Sequence, residues 1–173
     1  VVSHTSKQDA RSELLLAEWK TERGPITQLL FLNGGRQFLA MEGRRVIRLW
    51  NTRTTKSKYR LPVLPADTLL SNSFSADNKR FLTTSFKTMR IHLWETETGK
   101  KKLTFLHPRE VVEAAISPDG TRVISAGYDD VRMWDATTGQ EIMHGDTQSA
   151  YAVAYSHRGK FAASGGVDQT AYL

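Results

Sequence analysis

The chain has 173 residues, 39% hydrophobic, 24% charged and 9% aromatic, a balance that suits a folded domain and excludes a disordered or collagen-like chain. It has no cysteine, which excludes disulfides, thiolate metal centres and cysteine nucleophiles. The net charge of +6 is uneven: residues 1–102 hold 19 basic and 9 acidic groups, and residues 103–173 hold 5 and 9.

In chain order, residues 7–20 have the length of a helix but fit better as a strand-turn-strand remnant, with 14–19 as an outer strand that keeps Trp19 out of any core. Residues 31–40 follow, broken by the turn Asn33-Gly34-Gly35. The run Val46-Ile47-Arg48-Leu49-Trp50 alternates with period two and reads as a half-buried strand. Two later runs do the same, Arg90-Ile91-His92-Leu93-Trp94 and Val131-Arg132-Met133-Trp134, so the tryptophans lie 44 and 40 residues apart. A polar turn follows each one, ending in Thr98-Gly99 and Thr138-Gly139 in the second and third copies. Upstream lies a hairpin unit: residues 74–84, residues 114–127 around Pro118-Asp119-Gly120, and residues 152–166 around Gly159. The longest apolar run, 150–155, is far short of the roughly 20 residues that span a bilayer. No signal peptide is visible at Val1-Val2-Ser3-His4, so the expected location is the cytoplasm.

Four short strands per period of about 40 to 45 residues mark a propeller blade. On these offsets the chain resembles the WD-repeat β-propeller family, most strongly over 103–173 and more weakly over 20–102. The resemblance implies an all-β fold, a β-propeller segment of four-stranded antiparallel blades. Its divisions are the end of a preceding blade at 1–19, blades at 20–62, 63–106 and 107–145, and a truncated blade at 146–173. The last three residues align with Val131-Arg132-Met133, one position before a fourth tryptophan. Complete rings of this family usually hold about seven blades, so the expectation is an incomplete ring whose remaining blades lie in flanking sequence.

The resemblance also implies a buried tetrad of His107, Ser125, Asp129 and Trp134. Partial versions keep Ser164 and Asp168, Thr83 and Trp94, and Trp50 alone. At the histidine place these copies have Asp146, Pro65 and Glu22, so their blades are expected to rest more on apolar packing.

No phosphate-binding glycine loop, nucleophile elbow or zinc-protease motif occurs. His107, Ser125 and Asp129 read as structural because the same positions recur in the repeat. No catalytic residue, metal or cofactor is expected, and the chain is not expected to be an enzyme. The family implies a scaffold that holds protein or peptide partners on its loop faces. Candidate contacts are Tyr128, Val167 and their counterpart Phe86, each one residue before the tetrad aspartate place, and Glu110, Val112, Ser149 and Tyr151 at the start of the first strands. One alternative is a regulatory or docking domain of a larger enzyme such as a protein kinase. Another is anion or nucleic-acid binding through a basic rim of Arg44, Arg45, Arg48, Arg53, Lys56, Lys58 and Arg60, continued by Lys100, Lys101 and Lys102.

Overall fold

Among the described residues there are fifteen strands, and hairpin turns rich in glycine, Asn and Asp join them. The structure is a computed structural model that describes residues 24–43, 46–62, 67–128, 130–146 and 150–173. The readings at 1–19 and at Glu22, Arg44, Arg45, Pro65, Asp129 and Ser149 lie outside the described residues.

The first sheet is β1 (Ile26–Leu32), β2 (Gln37–Glu42), β3 (Val46–Asn51) and β4 (Ser57–Pro62). The second is β5 (Asp67–Phe74), β6 (Arg80–Ser85), β7 (Arg90–Glu95) and β8 (Lys101–Leu106). The third is β9 (Val111–Ile116), β10 (Arg122–Gly127), β11 (Asp130–Asp135) and β12 (Glu141–Asp146). The fourth has three strands, β13 (Ala150–Tyr155), β14 (Ala162–Gly166) and β15 (Ala171–Tyr172). Every sheet is an antiparallel meander in sequence order. Among the described residues the only helical turn is a 3₁₀ turn at Asn33–Gly35.

Sheet packs on sheet. β9 lies against β5 on one side and β13 on the other, so the sheets fan out from their first strands. Among the described residues the fan is open, without ring closure. Between the first and second sheets, Leu39, Met41, Ile47 and Leu49 meet Phe81 and Trp94. Between the second and third, Leu82, Ile91, Leu93 and Phe105 meet Val123 and Trp134. Ala115, Ile124 and Ala126 then meet Ala150 and Val153 of the fourth.

This stacking corrects one sequence reading. Strands β3 and β7 are not half-buried: Ile47, Leu49 and Trp50, like Ile91, His92, Leu93 and Trp94, are all buried. In β7 the alternation separates two neighbouring layers, Ile91 and Leu93 toward the third sheet and Trp94 toward the first, not core from water.

Candidate partner-binding face

The face is built on a buried polar network in the third sheet. Side chains alternate along β11, so Asp130, Arg132 and Trp134 share one face. Trp134 donates its indole N–H to Ser125 Oγ at 3.0 Å. His107, buried beside the Trp134 ring, accepts the backbone N–H of Arg109 on Nδ1 at 3.4 Å. The proton of the neutral ring therefore sits on Nε2, 3.4 Å from Asp130 Oδ1. Burial holds this imidazole below the ordinary histidine pKa, and Asp130 pulls the other way. Asp130 Oδ2 also accepts Arg132 Nε at 2.6 Å. Arg132 reaches on to Glu141, whose other oxygen lies 2.9 Å from His144 Nδ1. The network thus runs from the buried imidazole to the exposed outer strand.

A carboxylate beside His107 is that of Asp130, the residue after the expected Asp129, which lies outside the described residues. Counting back in twos from Trp134 reaches 130, a signal for Asp130 that was available in the sequence. Ser125 is fully buried and its hydroxyl already accepts the indole N–H, so the likeness to a hydrolytic triad offers a substrate no approach.

The other copies vary the plan. Trp94 donates to Thr83 Oγ1 at 3.0 Å, and His92 takes the place of Arg132, its Nδ1 2.9 Å from Thr104 Oγ1. In the first sheet Ala40 stands where the hydroxyl would be, opposite Arg48. Arg48 lies 5.3 Å over the Trp50 ring and pairs with the buried Glu42 at 2.9 Å. In the fourth, Asp168 accepts the Tyr172 hydroxyl at 2.8 Å and the Thr170 N–H at 3.1 Å, with Ser164 partly buried nearby on β14.

Above this network lies an aromatic row. Phe86, Tyr128 and Val167 each come one residue after the second strand of their sheet. They are 44%, 37% and 54% exposed, and Tyr151 on β13 is 46% exposed. The Phe86 and Tyr128 rings meet edge to face at 6.0 Å, and Tyr128 and Tyr151 do so at 6.2 Å. Three sheets therefore contribute to one continuous aromatic strip that remains open to solvent. Glu110 and Val112 are half-buried, and Glu113 Oε2 accepts the Val153 N–H at 3.1 Å, tying the third and fourth sheets beneath the strip. Sequence reasoning missed Met89, an exposed residue with φ of 55° in the Phe86 hairpin. A lone methionine in a polar turn carries no periodic signal.

The basic residues divide. Arg48 is not part of an open rim, because Glu42 and the Trp50 ring hold it within the sheet stack. Lys58 pairs with Glu97 across two sheets. Arg53, Lys56, Arg60, Lys100, Lys101 and Lys102 are exposed.

Residues 99–135 and 139–173 match the WD domain, G-beta repeat family. These two adjacent stretches are similar to WD repeats. Each matched stretch begins at the outer strand of one sheet and supplies the three inner strands of the next, β8 with β9–β11 and then β12 with β13–β15. The fold is an all-β propeller segment of four-stranded antiparallel blades. The crystal structure of a computationally designed protein, Ika4, matches with a TM-score of 0.72 at 18% identity, over 90% of this chain and 93% of that one. No curated protein matches the chain. WD repeats in general mediate protein–protein contacts and are typically non-catalytic. No helix among the described residues is long and apolar enough to cross a membrane.

Proposed function

We propose that this WD-repeat chain is a non-catalytic platform that holds a protein or peptide partner on the face carrying Phe86, Tyr128 and Tyr151. The observation that carries this reading is the edge-to-face row itself. Three large aromatic side chains from three sheets touch one another yet stay more than one-third exposed. Rigid aromatic side chains with their rotamers already limited by neighbours lose little entropy on binding and supply much contact area. Beneath it, the Trp134–Ser125 hydrogen bond and the 3.4 Å His107–Asp130 contact brace the backbone from which Tyr128 projects.

The test is a displayed peptide library selected on the wild-type chain. Binders should lose at least tenfold in affinity for a Phe86→Ser/Tyr128→Ala/Tyr151→Ala variant whose melting temperature is unchanged. Selected peptides that bind this variant as tightly as wild type would place the partner elsewhere.

A further inference from the structure

We infer that the seam between the outer strands of the first two sheets is a second docking surface, one that takes an acidic, extended protein segment. This surface is independent of the aromatic face. Two basic runs that lie some forty residues apart in sequence meet here. The turn before β8 leans directly on β4: a methyl group on Gly99 would stand 2.9 Å from Leu61 Cδ2 and from Tyr59 Cδ2. Lys58 on β4 pairs with Glu97 in that same turn. The cations of β4 and its preceding turn, Arg53, Lys56 and Arg60, therefore flank the same seam as Lys100, Lys101 and Lys102. Lys58 already engages Glu97, and among the described residues none of the other six cations forms an ion pair. The remaining acids at this rim are engaged as well: Glu95 accepts the Thr98 hydroxyl, and Asp77 accepts from Ser75 and pairs with Lys79.

The surface has a sharp boundary. The third sheet makes the same turn, with Gly139 leaning on Leu103 of β8, but there the residues in place of Lys100-Lys101-Lys102 are Gln140-Glu141-Ile142. Lysines placed only to keep sheet edges apart would be expected at both edges. Here the charge is concentrated at one seam, where it creates a local field for a polyanion. A carboxylate-bearing peptide fits better than nucleic acid. Single strands need exposed rings for base stacking, and a duplex needs an element that enters a groove. The one aromatic at this seam, Tyr59, is packed beneath Gly99, and the surface is the flat edge of two strands.

The experiment measures fluorescence anisotropy of a dye-labelled oligoglutamate with the full chain at low and at physiological salt. The expected result is binding that weakens with salt and falls at least tenfold in Lys100→Glu/Lys101→Glu/Lys102→Glu. Arg158→Glu, a charge reversal on the fourth sheet, should change it less than about twofold. Circular dichroism checks that the triple variant folds; if it does not, Arg53→Glu/Lys56→Glu is measured against the same tenfold criterion. No binding at low salt, equal loss in Arg158→Glu, or tighter binding of an oligothymidylate of matched charge would each overturn the assignment.

Discussion

At Gly127 an added methyl group would stand 2.5 Å from His107 Cε1 and 3.0 Å from its Nδ1. The backbone of β10 approaches the imidazole so closely that only a residue without Cβ fits, and this closeness is part of what dehydrates the ring. Burial lowers the His107 pKa from the ordinary 6.5, against the attraction of Asp130 and with the repulsion of Arg132. In the unfolded chain the ring regains the ordinary value and takes up a proton at a higher pH than in the fold. Its contribution to stability is therefore complete above about pH 6.5 and is lost as pH falls toward the lower folded-state pKa. Denaturant midpoints measured from about pH 7 down to pH 5 should decline in the wild type and decline less in His107→Gln. Identical slopes for the two proteins would show that His107 does not carry the titration. Asp77, Asp119, Asp135 and Glu141, whose carboxyl groups are held below their ordinary values, act in a more acidic range and leave this window clear.

The hairpin turn after each blade-core tryptophan shows how one element is repeated with different residues. In all three copies the residue after Trp donates its N–H across the turn, Asn51 to Lys56, Glu95 to Lys100 and Asp135 to Gln140, at 2.8–3.0 Å. The fourth residue beyond it donates its N–H back to that residue's own carbonyl, Thr55 to Asn51, Gly99 to Glu95 and Gly139 to Asp135. That residue has positive φ in each copy: 55° at Thr55, 67° at Gly99 and 80° at Gly139. A β-branched residue is strained there, whereas glycine is not. Thr55→Gly should thus stabilise the chain by about 1 kcal/mol, net of the greater freedom glycine has when unfolded. A loss of stability on chemical denaturation would mean that the Thr55 hydroxyl, which bonds the Thr54 carbonyl at 2.7 Å, outweighs the backbone strain.

Among the described residues, the core packing falls into three seams, each formed by two adjacent sheets. The first rests on Phe81 stacked on Trp94 at 6.2 Å and on Leu39, Met41, Ile47 and Leu49. The second adds the polar network to Phe105 and Trp134 at 5.7 Å. The third is lighter, made of Ala115, Ile124, Ala126, Ala150 and Val153. Beside it lies a cavity of about 410 Å³ lined by Ile124, Met133, Met143 and Phe161. Single hydrogen bonds cross between neighbours, from Ala76 N–H to the Pro118 carbonyl at 2.9 Å and from Arg80 Nη1 to the Gly120 carbonyl at 2.6 Å. Sheets that contact only their neighbours pass strain one seam at a time. Phe81→Ala, which removes a fully buried ring, should cost about 3–5 kcal/mol at its own seam. Amide exchange should accelerate across β1–β8 and stay nearly unchanged in β13–β15. Uniform acceleration through all four sheets would show a single cooperative unit instead.

Strand count, hairpin positions and the recurrence of Trp50, Trp94 and Trp134 were legible in the sequence because they depend on period-two alternation and turn chemistry, which are local. So was the position of Phe86, Tyr128 and Val167 at one point of the repeat. The contact between these rings and Tyr151 was not, because it depends on how closely the sheets fan from their first strands. The same distance rule brought Asp130 beside His107 and drew Arg48 out of the basic rim onto Glu42 and Trp50. A linear pattern specifies which face a side chain takes within its own sheet; what it meets there is decided only when the next sheet packs against it.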